Sequence, residues 1–239
     1  MEPEPVLPHR LPGRKAITAV ASACIMLLSG GGPLTACAGE GAGEPAACLI
    51  VVSIDTLRAD HVSCCGYSAA TTPCIDVLAG QGHLFSNGYT PMPTTLPAHA
   101  SLMTSLYPSQ LNTRRNGDQV PSRAVTLAEI LKARGYATGA FVSASVLDAR
   151  YGLCQGFDAY DGPGAKAERP AEETAFEAAA WLAENASRKF FLFVHLYDPH
   201  TFYYAPPAFR QRFQAPDTPE PSPPSGCSSV TEACFPLRL

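Results

Sequence analysis

Apolar runs and amphipathic stretches alternate along the middle of the chain. Cys48-Leu-Ile-Val-Val-Ser-Ile54 is β-branched and lacks polar alternation, the pattern of a strand buried on both faces of a parallel sheet. Residues 83–89 and 137–143 read as further strands, and residues 190–196 (Phe-Phe-Leu-Phe-Val-His-Leu) as a very apolar one. Between them, residues 72–79 predict a short helix. Residues 95–106 predict another, with Leu96, Ala100, Met103 and Leu106 on one stripe. Thr126 and Glu129 stand at capping-box spacing ahead of a helix to Arg134, with Gly135 past its end. The Ala/Glu-rich stretch 170–185 completes the set. Strands alternating with helices predict an α/β fold: a mostly parallel central sheet with helices on both faces.

Composition narrows where that fold lies. Of 239 residues, 23 are proline, and 14 of these fall in residues 1–45 and 205–239. The predicted core is therefore the middle of the chain, with loose ends. Charged residues are 16%, and the net charge is -4, which argues against a nucleic-acid partner because no basic stripe is present. Nine cysteines show neither C-x-x-C spacing nor a zinc-ligand block, so they read as scattered thiols.

The N-terminus reads as an address. His9, Arg10, Arg14 and Lys15 precede an apolar run at 16–28, a secretory signal pattern and shorter than the roughly 20 residues of a membrane span. Leu34-Thr-Ala-Cys37 then resembles the lipobox of bacterial lipoproteins, which predicts cleavage before Cys37 and a lipid on its sulfur. The expected organisation is a signal peptide with lipobox (1–36), a flexible tether (37–47), a globular domain (48–210) and a Pro-rich tail (211–239). The expected location is the cell envelope, exported and membrane-anchored.

Three polar clusters fall at predicted strand ends or helix starts, where ligands of open α/β sheets gather. They are Asp55, the segment Thr94 to His99, and Tyr197-Asp-Pro-His200. A carboxylate can hold a divalent cation, a hydroxyl at a helix start meets amide donors that favour an anionic ester, and a histidine can serve a leaving group. Singly, each has a plainer reading: a turn aspartate, helix-capping threonines, a surface histidine, a loop turn. Asp60-His61 reads as a solvated helix start, and Asp158, Asp161 and the run 168–177 as a solvated face.

Their order narrows the choice. Ile50 to His61 (Ile-Val-Val-Ser-Ile-Asp-Thr-Leu-Arg-Ala-Asp-His) resembles the opening of the sulfatase family, within the alkaline phosphatase superfamily. Residues 72–79, 95–108 (Thr-Leu-Pro-Ala-His-Ala-Ser-Leu-Met-Thr-Ser-Leu-Tyr-Pro), 126–136 and 190–200 continue in the family's order. The resemblance implies that Asp55 binds a divalent metal (calcium, or manganese or zinc) and that the substrate is an anionic sulfate or phosphate ester. The family's Cys/Ser-x-Pro-x-Arg segment matches Thr95, Pro97 and His99, so the implied nucleophile is the Thr95 hydroxyl, itself a metal ligand, because threonine cannot become formylglycine. His99 replaces an arginine as the expected anion contact, and His200 matches the histidine that meets the ester or its leaving group. Thr56 replaces a second metal-binding aspartate, and Val142 and Ser143 stand where many members have a lysine. The tail after residue 210 carries no Asp-His or Asp-Asn pair, so the expectation is the N-terminal portion of the domain with an incomplete metal site. The alternatives are a phosphodiesterase or phospho-group transferase of the envelope, and a non-catalytic fragment.

Overall fold

The computed structural model describes residues 48–201 and Phe209; the expected signal, lipobox, tether and tail lie outside them. The contacts divide into two units, Val62–Ser86 and a larger body joining 48–61 to the residues from Asn87 onward.

The larger body holds a four-stranded parallel sheet: β1 (Cys48–Ile54), β2 (Ala137–Val142), β3 (Ala159–Asp161) and β4 (Phe190–Leu196), in the order β1-β4-β2-β3. β4 pairs with both β1 and β2, and all six of its first residues are buried. The smaller unit carries α1 (Pro73–Gln81), where proline begins the helix because its missing N–H needs no partner there. The larger body adds α2 (Thr95–Thr104), α3 (Pro108–Leu111), α4 (Leu127–Lys132) and α5 (Ala171–Asn185). The capping box ahead of α4 is present: Glu129 N–H donates to Thr126 Oγ1 (3.1 Å), and Thr126 N–H to Glu129 Oε2 (2.8 Å). Gly135 beyond that helix has φ +81°.

Strand alternation sorts the side chains onto two faces. Phe191 and Phe193 of β4 and Ala140 and Val142 of β2 join Leu96, Ala100 and Met103 of α2 in one core, with Val51 of β1 packed against it. On the opposite face Trp181 of α5 meets Phe141 and Phe190 at ring separations of 6.2 and 6.1 Å.

Three expectations change. β1 is not buried on both faces: it is the edge strand, α5 covers β2 and β4, and Ile50 and Val52 stay 40% and 55% exposed. Such an apolar, uncharged edge is a template for unwanted pairing. Residues 83–89 form no strand, and Phe85 and Tyr89 are largely exposed; a β-like run without a neighbouring strand has nothing to pair with. The run 168–177 is not all solvated. Arg169 and Thr174 are buried, Arg169 pairs with Asp161, and its Nε–H donates to Thr174 Oγ1 (2.9 Å). Asp158 likewise has partners, Lys132 at 2.6 Å and the Thr138 N–H at 3.1 Å.

Candidate active site

Asp55 follows β1, and its N–H donates to Leu196 O of β4 (2.9 Å), which fixes the residue level with the end of the neighbouring strand. Alternation puts Val51, Ser53 and Asp55 on the face that carries Phe191, Phe193 and His195, under α2. Thr56, next in sequence, has φ +53°, a conformation β-branched residues rarely adopt. The chain thus turns sharply away immediately after the carboxylate.

Thr95 opens α2. Thr94 occupies the N-cap, but its side chain makes no capping hydrogen bond; Asn116 instead accepts the Leu96 N–H at 2.9 Å. The Thr95 hydroxyl is free of capping and donates to Asp55 Oδ2 at 3.0 Å. The same oxygen lies 3.3 Å from His195 Nε2. A carboxylate only accepts, so His195 carries its proton on Nε2 toward Asp55. Burial raises the Asp55 pKa, but the bond and charge of His195 and the Thr95 hydroxyl outweigh it, and the carboxyl ends below its ordinary value. Asp55 is an anion at neutral pH.

His99, one turn into α2, is buried, with Nδ1 2.7 Å from Thr95 O and Nε2 2.8 Å from Ser53 Oγ. The carbonyl must accept, so Nδ1 donates, and in the neutral ring Nε2 accepts from the Ser53 hydroxyl. Burial and the neighbouring charge of His195 lower the His99 pKa to about 4. Neutral, with both nitrogens engaged, His99 ties β1 to the first turn of α2. Between pH 6.5 and 4 the unfolded chain takes up the proton and the folded chain does not, so stability falls as pH drops through that window. The loss is on the order of 3 kcal/mol at most. Urea midpoints should decrease from pH 7 to pH 4.5, and less steeply in His99→Gln; identical slopes for the two proteins would remove this assignment.

His200 stands apart. Its ring stacks on Tyr197 (4.2 Å between centroids), and Nδ1 donates to Thr201 O at 3.0 Å. Tyr197 in turn lies 5.8 Å from the His195 ring, so an aromatic series joins His200 to the Asp55 cluster. Asp198 accepts the Ala171 N–H at 2.8 Å, at the start of α5. Asp55, Thr95, His99 and the unanticipated His195 therefore converge, and His200 flanks them. The signal for His195 was available: it shares parity with Phe191 and Phe193, the core-facing residues of β4. A cleft of about 620 Å3 opens along α2 beside Ser53, His99, Leu102 and Tyr107; neither Asp55 nor Thr95 lines it.

The carboxylate and hydroxyl oxygens of Asp55 and Thr95 are hard donors of the kind a divalent cation takes, and the carboxylate is ionised. They fit part of such a shell. Among the described residues no three His, Cys, Asp or Glu side chains converge as a metal site.

The Sulfatase family profile matches residues 48–225. An N-acetylgalactosamine-6-O-sulfatase of Bacteroides thetaiotaomicron is 41% identical over 96 residues, covering 38% of this chain and 19% of that protein. Arylsulfatase A of Homo sapiens is 35% identical over 98 residues, covering 38% and 19%. The chain thus aligns with about a fifth of the length of these curated relatives. Among solved structures, the phosphonate monoester hydrolase of Agrobacterium radiobacter superposes with a TM-score of 0.62 at 22% identity, covering 73% of this chain and 45% of that one. A putative sulfatase of Bacteroides thetaiotaomicron superposes at 0.58 with 24% identity, covering 75% and 40%. At these identities the superpositions speak for the fold alone.

Proposed function

We propose, from the premise that the chain belongs to the sulfatase family, that it acts in hydrolysis of a sulfate or phosphate ester with Thr95 as nucleophile. The observation that carries this reading is the Thr95 hydroxyl held 3.0 Å from the Asp55 carboxylate at the carboxyl end of the sheet. Asp55 and Thr95 are the residues that would hold a divalent cation, calcium, manganese or zinc. When bound, the cation supplies charge neutralisation and a more acidic hydroxyl. Asp55 orients the hydroxyl and accepts its hydrogen bond. His99 fixes the Thr95 backbone through its carbonyl, and His200, with Nδ1 engaged by Thr201, keeps Nε2 to meet the leaving group. The Thr95 oxygen bonds to sulfur or phosphorus as the ester bond breaks, and the hydroxyl proton it gives up ends on the departing alcohol. Water then cleaves the threonine ester and restores the hydroxyl.

A threonine in this position favours a second reading, a phosphodiesterase or phospho-group transferase. An unmodified hydroxyl can carry a phosphoryl group, whereas the family's formylglycine route for sulfate is closed to it. Export and lipid anchoring at Cys37 belong to the same proposal and rest on the sequence; no described helix is long and apolar enough to cross a membrane.

Assays with 4-nitrophenyl sulfate, 4-nitrophenyl phosphate and bis-4-nitrophenyl phosphate, each with calcium, manganese or zinc, decide among these. Cation-dependent turnover of the sulfate supports the leading reading, and turnover of the diester alone supports the second. No turnover of any ester with any of the three cations counts against both and favours a non-catalytic chain.

A further inference from the structure

His195 is fully buried, and its Nδ1 has no hydrogen-bond partner among the described residues. Buried polar atoms are almost always satisfied, so an orphaned nitrogen in the middle of the sheet asks for a reason. Packing alone does not supply one. A leucine on the same face as Phe191 and Phe193 would leave no nitrogen unsatisfied. What a leucine cannot do is donate to Asp55. Oδ2 of that carboxylate receives two donors, Thr95 Oγ1 at 3.0 Å and His195 Nε2 at 3.3 Å, from different elements. His195 is itself held from both sides. Its neighbours across the sheet are Ser53 of β1 and Val142 of β2, its carbonyl accepts the Ser143 N–H at 3.0 Å, and the His99 ring meets it edge-on at 5.0 Å.

We propose that His195 is a positioning residue whose Nε2–H locks the Asp55 carboxylate. It holds Oδ2 as the fixed acceptor for the Thr95 hydroxyl and leaves Oδ1 for a cation. The proposal rests on the reading of Asp55 and Thr95 as the working pair. It adds a residue from the central strand that touches neither substrate nor cation.

Three variants of the full chain separate this role from packing. Glutamine can place an N–H near the position of Nε2, asparagine reaches only as far as Nδ1, and leucine fills the space with no donor. Crystal structures should keep Thr95 Oγ1 within hydrogen-bond distance of Asp55 Oδ2 in His195→Gln and show the carboxylate turned away in His195→Asn and His195→Leu. Calorimetric titration with Mn2+ should leave affinity within about threefold for His195→Gln and weaken it by about tenfold or more in the other two, the usual cost of losing an outer-shell partner. An Asp55–Thr95 contact unchanged in His195→Leu and His195→Asn, or equal Mn2+ affinity across the series, overturns the proposal. If His195→Leu does not fold, the glutamine–asparagine pair makes the same comparison. If the unaltered chain neither binds Mn2+ nor turns over an ester, the functional reading fails; the carboxylate's position in the variant structures still decides the role of His195.

Discussion

Thr95→Ala is expected to lower kcat/KM for whichever aryl ester the chain hydrolyses by about ten-thousand-fold or more, and Thr95→Ser by about tenfold or less. The hydroxyl is the group that bonds to the ester centre, and alanine removes it without altering the backbone that His99 grips through the Thr95 carbonyl. Serine restores the oxygen on the same Cβ and can donate to Asp55 as threonine does at 3.0 Å. Each factor of ten is about 1.4 kcal/mol of transition-state stabilisation, so the alanine loss exceeds anything a displaced capping residue explains. Capping is in any case supplied to α2 by Asn116, not by Thr95. Steady-state rates of the two variants, with circular dichroism to verify folding, provide the measurement. Alanine and wild type turning over at the same rate would exclude Thr95 as the nucleophile. Loss in alanine and serine alike would make the methyl group, not the oxygen, the critical feature.

Gly156→Ala is expected to destabilise the fold by about 4 kcal/mol. Two costs combine. The residue has φ +87°, where an added side chain is strained by about 1–2 kcal/mol. A Cβ there would also collide with the backbone nitrogen of Glu129 and lie 2.7 Å from Ala128 C, and backbone cannot move aside as a side-chain tip can. The contact is integral to the fold, because Thr126 Oγ1 and Thr138 Oγ1 donate to the Gln155 and Gly156 carbonyls in the same turn. Gly164→Ala serves as control: its φ is +64° and nothing lies within 4 Å, so only the conformational strain applies. Thermal unfolding should show a fall of about 10 °C for Gly156→Ala and a few degrees for Gly164→Ala. Equal shifts would mean that close approach to α4 contributes nothing.

Much of this was legible in the chain. The apolar run from Phe190 to Leu196 forms the strand its composition predicts, and the capping box at Thr126 and Glu129 forms as spaced. Asp55 and Thr95, forty residues apart, were named separately from their places at a strand end and a helix start; the fold joins them by one hydrogen bond. Less legible was what depended on neighbours. β1 and β4 are both β-branched or aromatic runs, and nothing local says that one lies at the edge and the other at the centre. The identity of the capping group also escaped, because Asn116 reaches α2 from twenty residues away.

The linear chain carries the alternation of strands and helices, the family, and a carboxylate and a threonine hydroxyl as separate candidates for chemistry. These rest on local periodicity, capping spacing and motif order, which a linear chain carries in full. Folding adds that His99 is neutral and engaged by Ser53 and Thr95, that His195 donates to Asp55, and that His200 flanks the cluster. Burial, hydrogen-bond direction and strand order are properties of which segments lie side by side, and they exist only once the sheet has formed.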